Sequence, residues 1–328
     1  MTRSDSFRIV FMGTPEFAVP SLEALIHNGW NVPAVVTVPD KPSGRGLQPQ
    51  ASAVKLAAQK AGIPVLQPER LKDPAFLTAL RNLHPDLFLV VAFRMLPAEV
   101  WKIPLHGTVN LHASLLPDYR GAAPINHAII NGETRTGLTT FFIDENLDTG
   151  KIILQEEIPV GPQETAGELH DRMKELGAGL VLKTVELIAS GRYVARSQEE
   201  LIQPNRILHT APKITKEMCR IRWDRPGQEV ANLIRGLSPL PGAYTSWILP
   251  QGKTRVKIYL ASFNKEEHSL KPGTVVTDGK TFLKAAVPDG FIDILSLQAE
   301  GRKKISAVEF LRGIRDPSAL RFDSDQPS

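Results

Sequence analysis

Asn110 and His112 are the residues of this chain best suited by type and spacing to do chemistry. They lie two apart in Thr108–Gly121, TVNLHASLLPDYRG, which begins as a β-strand and passes into a polar, proline-containing loop. On a strand, residues i and i+2 share a face, so an amide and an imidazole stand side by side. A carboxamide N–H can donate to an oxyanion as it develops, and an imidazole can move a proton near neutral pH. Downstream, Leu147-Asp148-Thr149-Gly150 supplies a carboxylate, Asp148, able to support the imidazole. A strand end with polar side chains turned to water is the competing reading of the same residues. The elements around them bear on that choice.

The chain opens as a βα unit. Phe7–Met12 reads as a short buried strand, Gly13 as the turn, and Thr14-Pro15 as cap and first turn of a helix that runs to about His27 and stops at Asn28-Gly29. One glycine stands where a dinucleotide fingerprint needs three, so NAD or FAD binding is not expected, and no G-x-x-x-x-G-K-[ST] occurs, so there is no P-loop. A second strand, Val32–Val38, leads into residues 39–50, PDKPSGRGLQPQ, long for a βα connection and hence a functional-loop candidate. Helices follow over Ala51–Ala61 and Pro74–Leu83. Leu87–Phe93, LFLVVAF, is a continuous apolar run of strand length, the pattern of a central parallel strand covered on both faces. It ends at Arg94-Met95-Leu96-Pro97. Ligands of open α/β sheets bind outside the carboxyl ends of the strands, and both Arg94 and Asn110–His112 fall at such ends, which favours the catalytic reading.

Residues 136–144 alternate as a strand, LDTG turns, 151–160 reads as the antiparallel partner, and an amphipathic helix covers about Glu164–Ala189. Residues 192–209 read as a linker. Beyond them, short strands recur at Thr245–Leu249, Arg255–Phe263, Gly273–Val276, Phe282–Ala286 and Phe291–Leu297, the spacing of a small barrel or sandwich. Ala307–Ile314 reads as a last helix and DSDQPS as a frayed tail. The expected fold class is α/β: a mostly parallel doubly wound sheet over 1–191, a linker over 192–209, and a smaller β domain over 210–328.

Length, 328 residues, fits two domains. A single cysteine, Cys219, excludes an intrachain disulfide framework and any cysteine-cluster metal site. No secretory signal and no apolar run of membrane-spanning length is present, so a cytoplasmic protein is expected. Charge is uneven: residues 1–191 hold 17 Lys+Arg against 20 Asp+Glu, net −3, and residues 192–328 hold 22 against 15, net +7. A basic second part fits a polyanionic partner, and equally a solvated basic surface.

FMGTPEFAVPSL at 11–22, PDKPSGRG at 39–46, NLHASLLPDYRGAAPI at 110–125, LDTG at 147–150 and the C-terminal HTAPKI and IRGLSPLPGAY resemble the folate-dependent formyltransferases over nearly the whole chain, and among them most closely those that act on methionyl-tRNA. The resemblance implies a Rossmann-like catalytic domain followed by an OB-like β-barrel that helps hold tRNA. It implies transfer of a formyl group from 10-formyltetrahydrofolate, as co-substrate, to the amino group of initiator methionyl-tRNA, with no metal. Asn110, His112 and Asp148 take the catalytic positions. Ser114, Leu115, Leu116 and Pro117, with Phe93, Arg94, Met95 and Leu96 at the preceding strand end, take the folate positions. Arg45 and Lys41 of the 39–50 loop fall on the segment that meets the tRNA acceptor end, and Lys213 and Lys216 are candidates for its phosphates. The chain departs from the family at Phe93-Arg94, where an aromatic–glycine pair is frequent, and at 47–50, where lysines are. A monomer is expected. The alternative is a formyltransferase acting on a small amine, a nucleotide sugar or glycinamide ribonucleotide.

Overall fold

Leu87–Val91 (LFLVV) is buried at every position, and the first part of the chain is built around it. The computed structural model describes residues 6–43, 48–202, 207–249, 252–314 and 321–323. The main sheet has seven strands: β1 (Arg8–Gly13), β2 (Asn31–Val36), β3 (Val65–Leu66), β4 (Leu87–Val91), β5 (Thr108–His112), β6 (Arg135–Phe142) and β7 (Ile152–Pro159). Their spatial order is β7-β6-β5-β4-β1-β2-β3. Pairing is parallel from β3 through β5 and antiparallel between β5 and β6. The order reverses beside β1, the arrangement of a doubly wound sheet. One covering layer buries Val10, Met12, Val36, Phe76, Leu80, Phe88 and Val90 together.

The opening turn differs in detail from its sequence reading. Pro15, not Thr14, holds the cap position of a one-turn 3₁₀ helix, Glu16–Ala18, which precedes α1 (Val19–His27). The Thr14 hydroxyl is buried with no partner among the described residues. Gly13 is needed for space: a Cβ there meets the Ala18 Cβ at 2.8 Å and the Val91 carbonyl oxygen at 2.9 Å. In the 39–50 loop, Lys41–Ser43 and Gln48–Gln50 form a short antiparallel pair.

Among the described residues the chain divides into two compact units, Met1–Gly121 with Thr136–Ile158 and His170–Thr210, and Ala122–Arg135 with Pro159–Leu169 and Ala211–Ser328. In the second unit β8 (Ala243–Leu249), β9 (Gly252–Lys265), β10 (Val275–Thr277), β11 (Leu283–Val287), β12 (Gly290–Ala299), β13 (Ile305–Ser306) and β14 (Arg321–Phe322) form one sheet. The order β10-β11-β12-β9-β8-β14 is antiparallel throughout. A bridge between Thr274 and Arg321 joins its two ends, so the strands close into a barrel. Trp223, Trp247, Ile258, Ile292 and Phe322 fill it. Asp323 is no frayed residue: it is 7% exposed, and its carboxylate accepts from Lys253 Nζ at 3.0 Å.

Candidate active site

β5 is held on both sides, Asn110 opposite Val90 of β4 and Phe141 of β6, His112 opposite Thr139 of β6. Its two polar side chains are therefore fixed by sheet register. The Asn110 carboxamide is half-buried and makes no hydrogen bond with a described residue. Its N–H groups are free to meet a substrate oxygen. The His112 ring is buried, edge-on to Phe141, with centroids 6.4 Å apart.

Two backbone turns flank the imidazole. On one side Nε2 lies 2.9 Å from the Tyr119 carbonyl oxygen. A carbonyl only accepts, so Nε2 carries the hydrogen and Nδ1 holds the lone pair of the neutral ring. On the other side Nδ1 stands 3.8 Å from Asp148 Oδ2, beyond direct hydrogen bonding. The proton-accepting nitrogen thus faces a carboxylate across a small gap. A proton taken up at Nδ1 makes an imidazolium beside an anion in a shielded setting, where that attraction is strong.

Both turns have left-handed centres. Tyr119 has φ +59°, a left-handed value uncommon outside glycine, asparagine and aspartate, and Asp148 has φ +54°, which an aspartate adopts more readily. At Tyr119 such a conformation costs about 1–3 kcal/mol and persists where its surroundings over-determine it. Tyr119 N–H donates to the His209 carbonyl at 2.8 Å, the Tyr119 ring stacks on His209 at 5.3 Å, and Asp118 Oδ1 accepts the His209 N–H at 2.7 Å. Asp148 Oδ2 accepts the Gly121 N–H at 3.0 Å. Asp144 Oδ1 accepts from Asn146 N–H and Thr149 Oγ1, closing the turn. Gly150 is obligatory there, because a Cβ falls 1.6 Å from the Phe142 carbonyl oxygen.

The folate candidates divide. Ser114 is fully buried and spends its hydroxyl on the Asp118 carbonyl at 2.6 Å. Leu116 packs with Phe141 and Ile152, its N–H donates to Thr139 Oγ1, and its carbonyl accepts from Gln155 Nε2. Leu115 lies over Gly137, where no Cβ fits, and Pro117 is buried. The segment is a braced wall rather than a set of free side chains. At the end of β4, Arg94 Nη1 donates to the Glu69 carbonyl at 3.0 Å and Nη2 to the Pro68 carbonyl. Its Nε is buried without a partner among the described residues, and burial draws its pKa down. Arg94 thus ties a neighbouring loop to the strand end, with Phe93 under its guanidinium at 5.5 Å. Met95 is 75% exposed, and Leu96 joins the core beside Val36 and Val90.

Of the tRNA candidates, Lys213 and Lys216 are exposed in the second unit. Lys41 opens the short strand pair, and Arg45 lies outside the described residues. Among the described residues no group of three or more His, Cys, Asp or Glu side chains could hold a metal ion.

A residue absent from the sequence reading is Gln198, fully buried in the segment read as a linker, whose Nε2 reaches the carbonyls of Asp148 and Gly150 at 2.9 and 2.8 Å. That stretch has no periodicity to expose it.

The fold and the site define the class as formyl transferases. The family model described as Formyl transferase matches residues 7–185, and that described as Formyl transferase, C-terminal domain, matches 213–315. The chain belongs to the methionyl-tRNA formyltransferase family. A protein of that name from Bacteroides fragilis (strain ATCC 25285) is 49% identical over 321 residues, 98% of this chain and 99% of its own. One from Bacteroides thetaiotaomicron is 50% identical over 314 residues, 95% of this chain and 97% of its own. Among solved structures, WlaRD, a sugar 3N-formyl transferase crystallised in the presence of dTDP and 5-N-formyl-THF, is similar in fold with TM-score 0.63 at 20% identity, covering 90% of this chain and 99% of its own. HypX from Aquifex aeolicus in complex with tetrahydrofolic acid is similar with TM-score 0.62 at 20% identity, covering 94% of this chain and 48% of its own.

Proposed function

We propose that the protein transfers a formyl group from 10-formyltetrahydrofolate to the free amino group of initiator methionyl-tRNA. The observation that carries this reading is the near full-length identity, through both units, with relatives named methionyl-tRNA formyltransferase. In this reading Asn110, His112 and Asp148 are the catalytic residues. The neutral amine attacks the formyl carbon, and the formyl oxygen becomes an oxyanion that the Asn110 amide, without a partner among the described residues, meets. One such donor accounts for roughly 3–4 kcal/mol in comparable sites. The new C–N bond forms at the amine, the bond to folate N10 breaks, and a proton passes from the one nitrogen to the other. His112 Nδ1, the ring's accepting atom, is the group that carries it. The braced wall 114–117 and the strand end 93–96 shape the folate side, chiefly through backbone groups. The +7 charge of residues 192–328, with Lys213 and Lys216, favours a polyanion over a small amine. Among the described residues no helix is long and apolar enough to cross a membrane, and the reading takes a cytoplasmic monomer as the working unit.

The test is incubation with 10-formyltetrahydrofolate and initiator Met-tRNA, with N-formylmethionine as the product sought. Turnover on a nucleotide sugar or glycinamide ribonucleotide, with none on Met-tRNA, moves the protein to the small-amine class. Arg45→Ala is expected to raise the KM for Met-tRNA about tenfold, the scale of one lost guanidinium contact to an unpaired base. An unchanged tRNA KM removes Arg45 from the interface.

A further inference from the structure

We infer that Gln198 is a positioning residue for the Asp148–His112 pair, a role that rests on the proposed reaction but that no motif assigns. Its carboxamide is fully buried and uses its whole hydrogen-bonding capacity. The oxygen and nitrogen of the carboxamide are assigned by their partners: guanidinium groups only donate and carbonyls only accept, which fixes the amide's orientation. Oε1 accepts from Arg120 Nε at 3.0 Å and Nη2 at 2.5 Å. Nε2 donates to the carbonyls of Asp148 and Gly150 at 2.9 and 2.8 Å.

These contacts tie together the two turns on either side of the imidazole. Arg120 sits between Tyr119, whose carbonyl receives the His112 Nε2–H, and Gly121, whose N–H holds Asp148 Oδ2. On the other side Gln198 grips the Asp148–Thr149 and Gly150–Lys151 peptide planes through their carbonyls. That sets the direction in which the Asp148 side chain leaves its left-handed backbone. The carboxylate and the imidazole lie 3.8 Å apart, so a small rotation of either turn changes whether the carboxylate faces Nδ1. A misplacement of about 1 Å at a reacting group can lower the rate a hundredfold.

Gln198→Glu separates positioning from folding. It is isosteric and still accepts from Arg120, but it sets a carboxylate oxygen against the two carbonyls and so turns the clamp into a repulsion. The expected result is a kcat on Met-tRNA lower by about 10- to 100-fold, with the KM for both substrates within about threefold. In an Asp148→Asn background the same substitution is expected to lower kcat less than about threefold, because the group it positions is already gone. A kcat at the wild-type level, or fully multiplicative losses in the double variant, overturns the proposal. If Gln198→Glu does not fold, Gln198→Ala is taken through the same cycle. Failure of both to fold makes Gln198 a purely structural residue and overturns it too. Wild-type turnover on Met-tRNA is the control: its absence refutes the proposed function, whereas normal turnover with insensitive variants refutes only the role of Gln198.

Discussion

Asp148→Asn is expected to lower kcat for formyl transfer by about 10²–10⁴-fold, the range for a proton-transfer group, while the KM for Met-tRNA stays within about twofold. The substitution isolates charge from structure unusually well. Asp148 Oδ2 both accepts the Gly121 N–H at 3.0 Å and faces His112 Nδ1 at 3.8 Å. In the variant the Gly121 N–H demands an acceptor, so the amide oxygen stays at that position and the turn keeps its brace. What faces Nδ1 is then a neutral oxygen, and an imidazolium formed there has lost its counter-charge. Asparagine also tolerates the left-handed φ of +54°, so the change adds little backbone strain. Alanine lacks both properties and confounds them. Thermal unfolding of Asp148→Asn is expected within a degree or two of the wild type. Steady-state kinetics on both substrates, together with a melting curve, check the prediction. Equal losses in kcat and in tRNA affinity, or a large fall in melting temperature, make Asp148 a structural residue.

The Asn110–His112 pair is legible in the sequence because strand periodicity is a local property: NLH puts the two side chains on one face whatever surrounds them. The unbroken apolar run of Leu87–Val91 announced the central strand for the same reason. What the sequence does not show is set by backbone groups and by contacts far along the chain. The Tyr119 carbonyl that sets the His112 tautomer is a backbone group, and no residue type marks it. The Arg94 guanidinium folds back onto carbonyls 25 and 26 residues upstream; the sequence shows an arginine at a strand end, where a ligand contact is the natural expectation. Gln198 reaches Asp148 across 50 residues from a stretch without periodicity. Thr-Pro fits two helix-start patterns, with Thr14 or Pro15 as the cap, and only the structure selects Pro15. Arg321–Phe322 is a two-residue strand, too short for any alternation to register.

Phe322→Ala is the substitution expected to damage the barrel most, at about 3–5 kcal/mol, the usual range for a buried Phe→Ala change. Phe322 is 3% exposed, stacks on Trp223 with centroids 5.1 Å apart and planes 12° apart, and meets Trp247 edge-on at 5.4 Å. Its backbone pairs with Trp247 of β8, and neighbouring Arg321 bridges to Thr274 before β10. The side chain therefore anchors the short strand that joins the two ends of the sheet. Asp323, beside it, accepts from Lys253, and its N–H donates to the Ser246 carbonyl at 2.8 Å. Removing the ring leaves two indoles facing a void and loosens the main apolar anchor of a two-residue strand, whose two ladder positions contribute little alone. The melting temperature of the second unit is expected to fall by roughly 6–20 °C at 2–4 °C per kcal/mol. Calorimetry gives the shift. Tryptophan fluorescence assigns it to the barrel, because Trp223 and Trp247 lie there and Trp30 and Trp101 belong to the first unit. Below that transition, kcat at saturating Met-tRNA is expected within about twofold of wild type, the reverse of the Asp148→Asn result, because Phe322 orders the barrel and touches no proposed catalytic residue. A destabilisation under about 1 kcal/mol means the remaining strands hold the barrel closed without it.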